Sequence, residues 1–168
     1  EDLKEIREQI SIYKRWRHTM QYGRFYRQRT GNIHQWTVAE EDGSRAVGLI
    51  MQELAEPNTE RENYNAAGLL DDELYHIYNR NLRYNVKEFG DLINTAAPVH
   101  IRQGLILHNV VAKFVTMPGE TEDYELYGDT LMNSGIRLKQ AFAATGFSDE
   151  VRHFPDFASR LYFIEKKQ

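Results

Sequence analysis

The chain has no cysteine, which excludes disulfides, thiolate nucleophiles and cysteine-held metals and is compatible with a cytoplasmic location. It has no apolar run approaching the ~18 residues that cross a bilayer. Its N-terminus, EDLKEIREQI, is charged and amphipathic where a secretory signal has an apolar centre. The first residue is not Met, which is the expectation for a fragment or a processed chain. Neither a GxGxxG turn nor a GxxxxGK loop is present to cradle phosphates, and no GxSxG is present to strain a nucleophilic serine. The six histidines form no HxH or HxxxH pair, and His100 and His108 stand eight apart without a carboxylate pattern beside them. Acidic residues are absent from one long window, Gln9 to Ala39, which carries Lys14, Arg15, Arg17, Arg24, Arg27 and Arg29.

What is present describes one ordinary globular domain. At 168 residues the chain can bury a sizeable core, with 41% hydrophobic and 27% charged residues and a net charge of −4. That overall charge gives no global drive towards nucleic acid. The basic window is also aromatic (YKRWRHTMQYGRFYRQR), so stacking on bases with phosphate pairing is one reading of it. The other is that Trp16, Tyr22, Phe25 and Tyr26 pack where a helix meets a sheet, with arginines that pair with acids elsewhere. The second weighs more.

The spacing predicts a helix from residue 2 to about residue 22. Leu3, Ile6, Ile10, Tyr13, Arg17 and Met20 recur in steps of three and four, with Asp2 and Glu5 at the start and Gly23 as the stop. This stripe needs a partner, either the following sheet or a further body of protein. The period then changes to two. Gln35–Glu40 and Arg45–Leu54 read as a hairpin around Glu41-Asp42-Gly43-Ser44, with Trp36 and Val38 on one face and Val47, Leu49 and Met51 on one face. Glu56–Glu60 reads as a loop. Strands are expected at Asn63–Gly68, Leu74–Asn79 and Asp123–Tyr127, with a hairpin over Asn79–Val86 and a turn at Pro118-Gly119. YGDTLMNSGIRL reads as a turn and a strand, and residues 104–116 as a short helix or irregular insertion. The closing strand sets Ser159, Leu161 and Phe163 opposite Arg160, Tyr162 and Ile164, with large apolar groups in both rows, so cover is expected on both faces. The fold class is mainly β: an antiparallel β-sandwich of about eight strands preceded by one N-terminal α-helix.

Hydrolytic work on sugars needs two carboxylates facing across a cleft. The candidates are Glu40, Glu41 and Asp42; Asp71, Asp72 and Glu73; Glu120, Glu122 and Asp123; and Asp129. All fall in expected turns or strand ends, where acids are ordinarily solvated, so no catalytic, cofactor or metal residue is assigned. Ten tyrosines would permit a sugar-binding β-sandwich, a weak signal alone.

Several stretches, in order, resemble the C-terminal end of bacterial α-galactosidases of glycoside hydrolase family 36. They are SIYKRWRHTMQYGRFYRQ, WTVAEEDGSRAVGLIMQELAEPN, AAGLLDDELYHI, FGDLIN, YGDTLMNSGIRL and GFSDEVRHFPDFASRLYFIE. The resemblance implies a longer parent, a retaining enzyme acting on oligosaccharides such as melibiose and raffinose, with a catalytic (β/α)₈ barrel before this region. Residues 1–23 would be the last barrel helix and residues 24–168 the C-terminal β-sandwich. The module would support the barrel, in an enzyme that is tetrameric in many members, with neither catalytic aspartate inside this chain. The resemblance implies no cofactor, nucleic acid or membrane partner. The alternative is an independent carbohydrate- or nucleic-acid-binding β-sandwich module.

Overall fold

A computed structural model describes residues 2–54, 63–80, 83–85, 116–118, 121–139 and 156–167. They fall in two compact units, one of Glu1–Arg80, Glu122–Leu138 and Pro155–Gln168 and one of Asn81–Thr121 and Lys139–Phe154. In the second unit, β6 (Arg83–Asn85) and β7 (Thr116–Pro118) pair antiparallel.

The first unit opens with α1 (Asp2–Tyr22), whose last turn closes with the Gly23 N–H donating to the Thr19 carbonyl at 2.9 Å. The chain turns at once into β1 (Arg24–Thr30), then β2 (Ile33–Ala39) and β3 (Arg45–Gln52), an antiparallel meander. β4 (Asn63–Tyr64), β5 (Leu74–Asn79), β8 (Asp123–Tyr127), α2 (Gly128–Asn133), β9 (Ile136–Arg137) and β10 (Ser159–Lys166) follow. Six strands form one antiparallel sheet in the order β1-β2-β3-β10-β5-β8, and β4 pairs with β9 in a second ladder. β10 is central, with Phe163 registered between Val47 and Tyr78.

Alternation along these strands makes two different faces. Ala46, Ile50, Tyr75, Ile77, Tyr162 and Ile164 share one face and are fully buried. Over it lies the layer holding β4, α2 and β9, which contributes Tyr64, Leu131, Ile136 and Leu138, all buried. Tyr64 stacks on Tyr162 with ring centroids 4.8 Å apart and shares a 2.8 Å hydrogen bond with the Thr37 hydroxyl. Burial raises the pKa of Tyr64 far above the ordinary tyrosine range. The same face holds a buried ion pair: Arg160 Nη1 lies 3.1 Å from Glu122 Oε2, to which Tyr162 donates a 2.7 Å hydrogen bond. The carboxylate is thus held by a guanidinium and a hydroxyl, as a buried charge must be, and the Glu122 backbone N–H separately donates to Asn79 Oδ1. The opposite face, with Val47, Leu161, Phe163 and Tyr78, receives α1.

Both faces of the closing strand are therefore covered around Tyr162, Phe163 and Ile164, as its alternation implied, although Leu161 is only half-buried. The hairpin at Glu41–Ser44 forms with Gly43 at φ 67°, and β5 and β8 span the residues expected. Arg24–Thr30, to which the sequence pattern assigned no element, is a strand, although six of its seven side chains are exposed, because its backbone ladder with β2 needs no apolar alternation. Three readings change. Only Asn63 and Tyr64 of the strand expected over Asn63–Gly68 are extended in a ladder. Gly128–Asn133 is a helix of one and a half turns held by buried Leu131, too short to show a period, and only Ile136–Arg137 of that stretch is strand. Arg83–Asn85 pairs with distant Thr116–Pro118 in place of a local hairpin, and Pro118 ends a strand. The described strands number ten, four of them no longer than three residues. Glu56–Glu60, residues 104–115, FGDLIN and most of GFSDEVRHFPDFASRLYFIE before its strand lie outside the described residues. No described helix is long and apolar enough to cross a membrane.

Gly48 sets the closest tolerance in this packing. A Cβ built there would lie 1.9 Å from the Tyr64 hydroxyl, inside the layer contact itself. Gly48→Ala is expected to cost about 1–3 kcal/mol by overpacking, measured by urea unfolding of the chain; an unchanged midpoint would contradict the layer arrangement.

Candidate functional site

α1 presents two faces to different surroundings. Towards the sheet it sends Ile12, Trp16 and Thr19, with Trp16 1% and Thr19 0% exposed. Trp16 stacks on Phe163 at 4.9 Å, and the Arg45 guanidinium lies 4.2 Å from its ring centroid. That cation is only partly exposed, a setting in which the attraction is stronger than at a fully solvated site. Glu165 then bridges Arg15 at 2.7 Å and Arg45 at 3.2 Å. Its hydrogen bond raises the pKa of Arg15 further. Thr19 donates to Glu40, and Arg80 pairs with Glu5, so polar contacts fasten the helix near both ends.

The predicted stripe points elsewhere. Leu3 is 71%, Ile6 48%, Ile10 47%, Tyr13 49% and Met20 36% exposed. At 100° per residue these side chains lie roughly 120° around the helix from Ile12, Trp16 and Thr19. The stripe is thus real, yet it does not pack on the sheet. Beside it a groove of about 190 Å³, lined by Ile12, Tyr13, Met20, Leu161, Phe163 and Arg80, runs between α1 and β10. The Arg80 Nε is buried without a hydrogen-bond partner, as is Trp36 Nε1 on the same face of the sheet. Isolated apolar residues at a surface are ordinary, whereas this row of exposed apolar residues, broken only by Arg17, runs along one face of a helix.

The candidate acids are dispersed into structural roles. Glu40 accepts from Thr19 and Ser44, Asp42 caps its own turn by accepting from the Ser44 N–H, and Glu73 pairs with Lys166. The Ser44 bonds hold the Asp42 carboxyl below its usual range. Glu122 is the buried partner of Arg160, Asp123 lies 2.8 Å from His76, and Asp129 accepts from Thr130. Glu41, Asp71 and Asp72 are exposed in turns. His34 and Arg29 engage Glu53, at 2.6 and 3.3 Å, and the His34 hydrogen bond lowers the Glu53 pKa. Among the described residues no group of three His, Asp or Glu side chains is placed to hold a metal ion. Glu120, His100 and His108 lie outside the described residues.

The basic window divides in the same way. Arg15 and Arg29 pair with acids of this chain, and Arg24 lies over the Tyr26 ring at 5.5 Å. Of the aromatics read as packing, Trp16 is buried and Tyr26 half-buried, whereas Tyr22 and Phe25 are 76% and 56% exposed. The offset of about a third of a turn between the Trp16 face and the stripe was the feature missed. Its signal was present, since Ile12, Trp16 and Thr19 themselves recur in steps of three and four.

Among the described residues, the first helix of this mainly β domain keeps an apolar face exposed. The model for the glycosyl hydrolase family 36 C-terminal domain matches residues 33–164, and the chain belongs to that family. No curated protein matches it in sequence. Solved structures with a similar fold include the α-galactosidase of Lactobacillus brevis, at 21% identity and a TM-score of 0.59 over 99% of this chain. The Geobacillus stearothermophilus α-galactosidase AgaB matches at 22% identity and 0.57 over 98%. The chain spans only 17% and 16% of the length of those two proteins.

The two faces of α1 make opposite demands. Trp16→Ala is expected to cost about 3–5 kcal/mol in the chain, whereas Ile10→Asp should cost less than about 1 kcal/mol. Chemical unfolding of both variants checks this; equal losses would mean that the stripe is packed within the chain.

Proposed function

We propose that this chain is the non-catalytic C-terminal part of a retaining α-galactosidase that hydrolyses terminal α-galactosides of the melibiose and raffinose type. Residues 1–23 are the last helix of its (β/α)₈ barrel and residues 24–168 the supporting β-domain. The observation that carries the reading is the uncovered stripe Leu3, Ile6, Ile10, Tyr13 and Met20 on a helix whose other face is fixed to the sheet. A barrel helix packs inward on its strands, and an apolar row facing away from the β-domain suits that position. The family membership supports the enzyme class. One similar solved structure is of an α-galactosidase in complex with raffinose. The structural commitments of Glu40, Asp42, Glu73, Glu122, Asp123 and Asp129 support placing the chemistry in the barrel, because retention needs two carboxyl groups about 5–5.5 Å apart across a bound sugar. The parent enzyme is a cytoplasmic homo-oligomer, a tetramer by its resemblance to family members, and binds its galactoside only through the barrel.

The 168-residue chain alone is expected not to hydrolyse p-nitrophenyl α-galactoside. The polypeptide extended by the sequence encoded before Glu1 is expected to hydrolyse it. Hydrolysis by the chain alone, abolished by one Asp→Asn change within it, would overturn the non-catalytic reading.

A further inference from the structure

We propose that the surface covering the α1 stripe is apolar but carries one carboxylate seated against Arg17; this rests on the reading of the cover as the catalytic barrel. Arg17 sits inside the stripe, between Tyr13 and Met20 in the helical succession, and is exposed. Among the described residues, the acids that reach α1 side chains are engaged with other groups. Glu5 holds Arg80, Glu40 accepts from Thr19, and Glu165 holds Arg15 and Arg45. No acid occurs between Gln9 and Ala39. Arg15 and Arg80 are thus neutralised within the chain, and Arg17 makes no ion pair with a described residue.

An apolar surface laid on the stripe would strip water from this guanidinium. That desolvation costs several kcal/mol unless an anion replaces the water. Arginine cannot escape by losing its proton, and its planar fork matches a carboxylate in two parallel hydrogen bonds. The cover therefore supplies a carboxylate there, ringed by apolar side chains that meet Ile6, Ile10, Tyr13 and Met20. The groove beside Tyr13 and Met20 accepts one of those side chains, with the unpartnered Arg80 Nε at its wall.

A second copy of the chain is a poor occupant. Parallel pairing of two α1 helices would set Arg17 against its own copy. Antiparallel pairing about the middle of the stripe would set it against Ile6, with no acid opposite. The barrel has the material to provide one, since about five-sixths of the length of the similar α-galactosidases lies outside the region this chain matches.

The test uses the polypeptide that includes the sequence encoded before Glu1, with Arg17→Glu and Arg17→Met. The Met variant is decisive: it fills the stripe, so it strengthens the contact unless a carboxylate is left unpaired beneath it. Both variants are expected to lose α-galactosidase activity on heating at least about 10-fold faster than the parent. Both should leave the unfolding midpoint of the 168-residue chain unchanged. Inactivation of Arg17→Met at or below the parent rate overturns the carboxylate while leaving the barrel reading intact. A midpoint already lowered in the 168-residue chain also overturns it, because Arg17 would then act within the chain. Absence of a barrel sequence before Glu1 overturns both.

Discussion

The position of β10 between β3 and β5 is the constraint on which the rest of the first unit depends. The last strand of the chain pairs on both edges, Phe163 with Val47 and Tyr78, and so joins the N-terminal meander β1-β2-β3 to the β5-β8 pair. Its alternation also fixes what lies on each side. Tyr162 and Ile164 point into the layer with Tyr64, while Phe163 points to α1. A one-residue slip in this strand would exchange those faces and would drive Arg160, now paired with buried Glu122, towards the helix.

From Phe163 the same logic reaches the functional surface. Trp16 is held between Phe163 and the Arg45 guanidinium, and Glu165 ties Arg45 to Arg15 on the helix. These contacts set the rotation of α1 about its axis. Because rotation is set there, the stripe of Leu3, Ile6, Ile10, Tyr13 and Met20 is turned away from the sheet. The helix therefore has one face fixed to the β-domain and an apolar face exposed. The proposed function is the reading of that second face in a chain of the family 36 C-terminal class.

Much of this was legible in the sequence where period and burial coincide. β5, β8 and the hairpin at Gly43 announce themselves because their side chains alternate or their turn demands a positive φ. β1 does not, because RFYRQRT at the edge of the sheet is held by its backbone ladder and has no buried face. α2 is too short for a helical period, and its formation depends on Gly128 donating to the distant Glu73 carbonyl, which no local pattern encodes. The stripe on α1 was plain, but the direction it faces was not, because direction is set by Trp16 meeting a strand 147 positions later, at Phe163. The charged residues were read as solvated turn acids, and most are. Glu122 is the exception, buried by its pairing with Arg160 across the sheet.

Hydroxyl-radical footprinting of α1, in the chain alone and within the polypeptide extended before Glu1, tests the two-faced helix most directly. Trp16 should be protected in both forms. Leu3, Ile6, Ile10, Tyr13 and above all the readily oxidised Met20 should be labelled in the chain alone and protected in the longer polypeptide. Equal labelling of the stripe in the two forms would contradict the account.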